Sequence, residues 1–194
     1  MRVFAASAFA AATVVACLPG WAQEIHIPTR SEFYEKSLGP YVTSPLEVVD
    51  DMLELAKVRP GELVYDLGSG DGRVLITAVQ RFKARAVGIE LSDDLARIST
   101  EKIAHLGLQS DARVINADVR NVDLSPADVV IMYLETDSNE KLRPKLEKSL
   151  RPGTRVVSHE YKVPGWKATK VAKADPGYGH VHTIYLYRMP PEKQ

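Results

Sequence analysis

The stretch from Leu63 to Arg73, reading LVYDLGSGDGR, constrains this chain more than any other. Leu63 to Leu67 has the apolar character of a short buried strand, and Gly68, Gly70 and Gly72 interrupt it before a helical pattern from Val74 to Phe82. Glycine lets a backbone turn tightly and approach a ligand closely, because no Cβ stands in the way. The helix behind such a turn presents unpaired N–H groups and the positive end of its dipole, which suit a carboxylate or a phosphate. A strand, a glycine turn and a helix in that order open an α/β unit whose ligand lies beyond the carboxyl end of the strand.

The remaining chain repeats the alternation. Arg85 to Ile89 reads as a second strand, followed by a helix opened by Ser92 with Leu95, Ile98, Ile103 and Leu106 as its apolar face. Ala112 to Asn116, Asp128 to Tyr133 and Arg155 to Ser158 supply three further strands. Between the last two, Asp137 and Glu140 are placed for a capping box, and Leu142, Leu146 and Leu150 form an apolar stripe. Segments around Ala168 to Ala172 and Val181 to Tyr187 read as a closing antiparallel pair. Upstream, Ser44-Pro45-Leu46-Glu47 predicts a helix start with Ser44 as N-cap and Glu47 in a capping box, with Val49, Met52, Leu53 and Ala56 facing inward. The expectation is an α/β, Rossmann-like, doubly wound and mostly parallel seven-stranded sheet with an antiparallel closing strand.

Three segments are expected. Residues 1–22 have the build of a signal peptide: Arg2, an apolar run from Val3 to Leu18, and small residues at Gly20 and Ala22. That reading places the mature protein outside the cytoplasm, in a periplasm-like compartment. The alternative is a membrane anchor, either a retained leader or a lipidated Cys17 in Val14-Val15-Ala16-Cys17. Membrane association is expected only in that case. Residues 23–43 form a lead-in broken by Gly39-Pro40, and residues 44–194 form the domain. Cys17 is the only cysteine, so the mature chain has neither a disulfide nor a thiolate metal site. Lys+Arg and Asp+Glu both total 25, and no basic run with interleaved aromatics occurs, so no nucleic-acid partner is expected.

Further acids stand at the ends of the next strands. The dinucleotide fingerprint G-x-G-x-x-G needs glycine where Arg73 stands, and the spacing here is G-x-G-x-G, which favours a ligand carrying an amino acid over a pyrophosphate. Glu90 ends the second strand about 20 residues beyond the glycines, where a carboxylate accepts both ribose hydroxyls. Asp118 follows the third strand, placed to accept from an adenine amino group. With Asp66, Gly68, Ser69 and Gly70 these make a nucleoside-type cofactor site at adjacent strand ends. His180 and His182 are two apart and would share one face of a strand. With no further ligands near them in sequence they read as a polar strand face at the pocket rim, and no metal site is expected. Tyr178, Tyr185 and Tyr187 read as sheet packing.

Asp66 to Arg73 resembles motif I of class I S-adenosylmethionine-dependent methyltransferases. More narrowly, the chain is similar to the family of the mitochondrial lysine methyltransferases of the ATP synthase c-subunit and the adenine nucleotide translocase, with their bacterial relatives. Pro40-Tyr41-Val42 matches that family's segment before the first core helix, and Val156-Val157-Ser158 through Pro164-Gly165-Trp166 matches its fifth-strand stretch. Thr43 stands where the family usually has proline, and Ser158-His159-Glu160 where an arginine–phenylalanine pair is frequent; these departures fall on the acceptor side. The resemblance implies S-adenosylmethionine as cofactor, a protein lysine as acceptor, Tyr41 in a lid over the cofactor, and Tyr133 and Glu135 as acceptor-orienting groups. A core-edge tyrosine and a solvated loop acid are the alternative readings of that pair. A small-molecule methyltransferase and a non-catalytic adenosine-ligand binding protein are the alternative functions.

Overall fold

The computed structural model describes residues 41–194, so the leader and most of the lead-in lie outside the described residues. The described elements are α1 (Leu46–Leu55), β1 (Leu63–Leu67), α2 (Arg73–Phe82), β2 (Arg85–Glu90), α3 (Asp93–His105), β3 (Ala112–Asn116), β4 (Val129–Met132), α4 (Thr136–Ser149), β5 (Arg155–His159), β6 (Trp166–Lys167), β7 (Lys170–Ala174), β8 (His182–Arg188) and β9 (Glu192–Lys193). A 3-10 turn at Val119–Asn121 follows β3. Seven strands form one sheet in the order β3-β2-β1-β4-β5-β8-β7. β1 to β5 pair in parallel, and β8 runs antiparallel to both β5 and β7. The expected fold is the observed one. β6 and β9 make a separate two-stranded ribbon.

Side-chain alternation along the strands sends apolar groups to both faces, so the core has two halves. Val64, Ala86, Ile131 and Val157 pack with α1, α2 and Ile103 of α3 on one face. Tyr65, Leu67, Val130 and Val156 pack with Leu142, Leu146 and Leu150 of α4 and its end on the other. The leucine stripe is therefore what docks α4, each buried leucine adding about 1.5–3 kcal/mol.

Two expected caps are not made. α1 begins at Leu46 with Pro45 at its N-cap and no side-chain cap bond. Ser44 instead turns its hydroxyl to His159 Nδ1 at 2.8 Å, and Glu47 accepts from the Tyr178 hydroxyl at 3.2 Å. α4 begins at Thr136 with Glu135 at the N-cap, again without a side-chain bond, so Asp137 and Glu140 form no capping box. Ser92 does cap α3, accepting from Leu95 N at 3.4 Å. The inward face of α3 is Ala96, Ser99 and Ile103, whereas Ile98 and Leu106, expected inside, are exposed. Small residues there let α3 lie close to the glycine turn: a Cβ on Gly72 would sit 3.1 Å from the Ser99 Cβ.

Candidate active site

The carboxyl ends of β1, β2 and β3 carry the expected cofactor residues. The turn after β1 is fastened to β2, since Gly68 N and Ser69 N both donate to Ile89 O at 2.8 and 3.1 Å. Glu90 is buried and accepts from Gly70 N and Ser92 N, both at 2.8 Å, one on each carboxylate oxygen. Each oxygen keeps a second lone-pair direction, which is what two ribose hydroxyls require. Gly70 has φ +53°, and a Cβ there would come within 2.6 Å of the Tyr41 ring. The Tyr41 ring thus lies against the glycine turn; residues 23–40 of the lead-in are outside the described residues.

Ser69 and Asp118 are engaged differently from the expectation. The Ser69 hydroxyl is buried with no hydrogen-bond partner among the described residues, and a Cβ on Gly88 would meet it at 2.5 Å. Its side chain thus packs over β2, leaving Ser69 to serve the turn through its backbone. Asp118 caps the 3-10 turn, accepting from Arg120 N at 2.8 Å, and its two oxygens face the Arg120 guanidinium. These bonds hold its carboxyl below the ordinary carboxylate range. An adenine amino group must share Asp118 with Arg120.

Arg73, the last residue of the glycine motif, joins the turn to the chain before α1. It donates to Asp71 through Nε and Nη2 at 2.9 and 3.0 Å and to Ser44 O through Nη1 at 2.6 Å. Lys102 reaches the same Asp71 carboxylate at 3.2 Å. Asn116, overlooked in the sequence, donates to Glu90 O at 3.1 Å and steadies the end of β2.

Burial, followed by the Glu90 and Asp71 carboxylates, raises the Asp66 carboxyl well above its ordinary value. A native pKa above the unfolded one means that the folded state keeps this proton longer. Its contribution to stability is therefore full below the unfolded pKa and is lost as pH rises through the native one. Asp66→Asn removes that loss. Denaturant unfolding of the ligand-free protein is expected to show the variant gaining on the wild type as pH climbs from about 4. A difference that does not change with pH would refute the assignment.

The ends of β4, β5 and β8 make a second cluster. Tyr133 is half-buried, with its ring 4.0 Å from the His159 ring and 6.2 Å from that of Tyr161, centroid to centroid. Burial pushes the Tyr133 hydroxyl pKa up. Glu135 is exposed, and its backbone carbonyl accepts from Asn139 N. Leu134 between them is buried, 3.6 Å from where a Gly68 Cβ would be. Asn139 itself is buried and donates to Ser158 Oγ, Tyr161 O and Lys162 O at 3.1–3.3 Å, which fixes the turn after β5. His159 and His182 are buried and touch at 2.9 Å, Nε2 to Nδ1. Burial and the neighbouring His182 push the His159 pKa down to about 4. β8 begins at His182, so His180 precedes the strand and does not share a strand face with it.

The sheet order, the glycine turn and the Glu90 carboxylate define a Rossmann-like S-adenosylmethionine-dependent methyltransferase, and the residues present fit that cofactor. Residues 66–170 match the family described as the ANTKMT methyltransferase domain, and the chain belongs to that family. It is 48% identical over 149 residues to a protein-lysine N-methyltransferase of Saccharolobus islandicus (strain REY15A), covering 76% of this chain and 92% of the relative. It is 33% identical to the mouse (Mus musculus) adenine nucleotide translocase lysine N-methyltransferase, over 68% of this chain and 57% of that one. Among solved structures, an RNA methyltransferase from Salinibacter ruber in complex with S-adenosyl-L-homocysteine superposes with a TM-score of 0.72 at 38% identity, covering 79% of this chain and 97% of that one.

Proposed function

We propose that the enzyme methylates the ε-amine of a lysine in a protein substrate. The observation that carries this is the 48% identity to the Saccharolobus islandicus protein-lysine N-methyltransferase across 92% of that protein. When bound, S-adenosylmethionine supplies an activated methyl group, so the protein's task is alignment and deprotonation. Glu90 and the glycine turn hold the nucleoside half. Tyr133, with Tyr161 and His159 beside it, forms an aromatic wall at the ends of β4 and β5. A lysine entering against that wall leaves water, and desolvation lowers its pKa towards the neutral, nucleophilic amine. Tyr41, lying on the glycine turn, keeps water from the cofactor side. Glu135, exposed at the start of α4, meets the substrate at the rim.

The test is transfer of labelled methyl from S-adenosylmethionine into host extract, with the acceptor identified by mass spectrometry. Methyl-lysine in protein is expected. Label found only in RNA, as the name of the Salinibacter ruber neighbour suggests for that protein, or only in small molecules, would overturn the lysine reading. We also propose that residues 1–22 direct export and are removed. An intact mass beginning at Gln23 in protein from the native host is expected, and one retaining Met1 or a lipidated Cys17 would refute it.

A further inference from the structure

The end of β5 and the start of β8 bring together His159, the back of the aromatic wall, with Glu160 and His182, which the methyl-transfer reading does not use. His159 Nε2 lies 2.9 Å from His182 Nδ1, and Glu160 Oε1 lies 2.8 Å from His182 Nδ1 and 3.9 Å from His159 Nε2. Each of the three residues offers one ligand atom, and these atoms lie within 4.8 Å of one another. His180 Nε2 approaches the same Glu160 Oε1 at 2.9 Å, at the exposed edge of this group.

The geometry points to a divalent transition-metal site, of zinc type, held by His159, Glu160 and His182, with the exposed His180 beside Glu160 able to turn in as a fourth ligand. Imidazole nitrogens and a carboxylate suit zinc. A tetrahedral ion with bonds of about 2.0–2.1 Å sets its ligand atoms roughly 3.3 Å apart, and the three central atoms here straddle that spacing.

Two further features support the site. The Ser44 hydroxyl lies 2.8 Å from His159 Nδ1, so it holds the ring by its far nitrogen and turns Nε2 to the centre. Metal-ligating histidines are ordinarily oriented by such a hydrogen bond. Glu160, a non-glycine residue, has φ +61° and sits at the centre of a turn closed by Tyr161 N donating to His159 O at 2.7 Å. A γ-turn with positive φ is rare and strained. Backbone strain of this kind persists where the surrounding structure over-determines it, and it concentrates at ligand clamps. Here the turn aims the Glu160 carboxylate at the two histidines.

A cation in this place fastens the turn after β5 to the first residue of β8 and fixes the His159 ring that lies tilted against Tyr133. The site does not depend on what the methyl acceptor is. His182 lies beyond residues 66–170, the part that matches the family.

The test uses the full chain, stripped with chelator and titrated with ZnCl2 by calorimetry, with S-adenosyl-L-homocysteine binding as the reporter of folding. One zinc per chain with sub-micromolar affinity is expected, together with a higher melting temperature on zinc addition. His180→Ala, at an exposed position that packing does not need, is expected to weaken zinc binding while leaving S-adenosyl-L-homocysteine binding unchanged. Glu160→Gln is expected to abolish it. Ser44→Ala is expected to weaken it by roughly 10–100-fold, a response that surface-bound zinc would not give. Cobalt(II) in place of zinc is expected to show the intense visible bands of four-coordinate cobalt. Absence of one-site binding at micromolar zinc, a six-coordinate cobalt spectrum, or the same isotherm in Glu160→Gln as in the wild type would overturn the proposal and leave a hydrogen-bonded histidine cluster.

Discussion

Replacing Glu90 with alanine is expected to lower the affinity for S-adenosyl-L-homocysteine by about a hundredfold. A hydrogen bond to a charged acceptor contributes roughly 1.5–3 kcal/mol, and the carboxylate has free lone pairs for both ribose hydroxyls, so the lower end of the range already gives about 3 kcal/mol. The same carboxylate accepts from Gly70 N and Ser92 N, which ties the glycine turn to the start of α3. The variant therefore loses ligand contacts and loosens the turn that makes the others. Glu90→Gln is expected to fall between, because an amide offers one acceptor oxygen to groups that need two. Calorimetric titration of both variants is the measurement. Affinity within a few-fold of wild type in Glu90→Ala would remove Glu90 from the cofactor site.

Trp166→Ala is expected to be the most damaging change to stability, costing about 3–5 kcal/mol. Trp166 is fully buried, stands edge-on to Tyr187 at 5.4 Å between centroids, and donates from Nε1 to Glu147 Oε1 at 2.7 Å. The Tyr187 hydroxyl in turn accepts from Val163 N at 3.1 Å. One indole thus joins α4, the segment after β5 and the antiparallel strand β8. For a domain of this size 1 kcal/mol moves the melting temperature by about 2–4 °C, so a drop of roughly 10 °C is expected. Trp166→Phe keeps most of the packing but loses the hydrogen bond and some ring volume, and is expected to cost about 1–3 kcal/mol. Thermal and denaturant unfolding decide the point, and a loss below about 1 kcal/mol for the alanine variant would show that the pocket collapses without cost.

The parallel strands were legible because burial on both faces makes each a short apolar run bounded by turns, and the glycine turn announced which ends would hold the ligand. What the sequence hid has a common cause. Ser44 was read as a helix cap from its neighbours, but its partner His159 is 115 residues away. Asp137 and Glu140 had the spacing of a capping box, and the turn after β4 sets the helix start two residues too early for it. On α3, hydrophobicity favoured Ile98 and Leu106, while close approach to the glycine turn favoured the small Ala96 and Ser99. His159 and Glu160 gave no sign beside His182, because only the antiparallel register of β5 against β8, with His159 opposite Ile184, brings them together. Arg73 counted as the residue that spoiled a fingerprint, and its bond to Ser44 O is visible only once the chain before α1 is in place.

Among the described strands, the sheet ends at β3 on one side and β7 on the other. An unpaired strand edge is a row of free N–H and C=O groups on which another molecule's strand can add. β3 carries the exposed Arg113, and β7 carries the exposed Lys170 and Lys173, with Lys173 donating to Thr183 Oγ1 at 2.7 Å. Two molecules meeting edge to edge bring these like charges towards each other. Desolvating like charges at that moment costs more than a few backbone hydrogen bonds return. The basic residues at the two margins of the described sheet thus oppose its continuation from one molecule into the next.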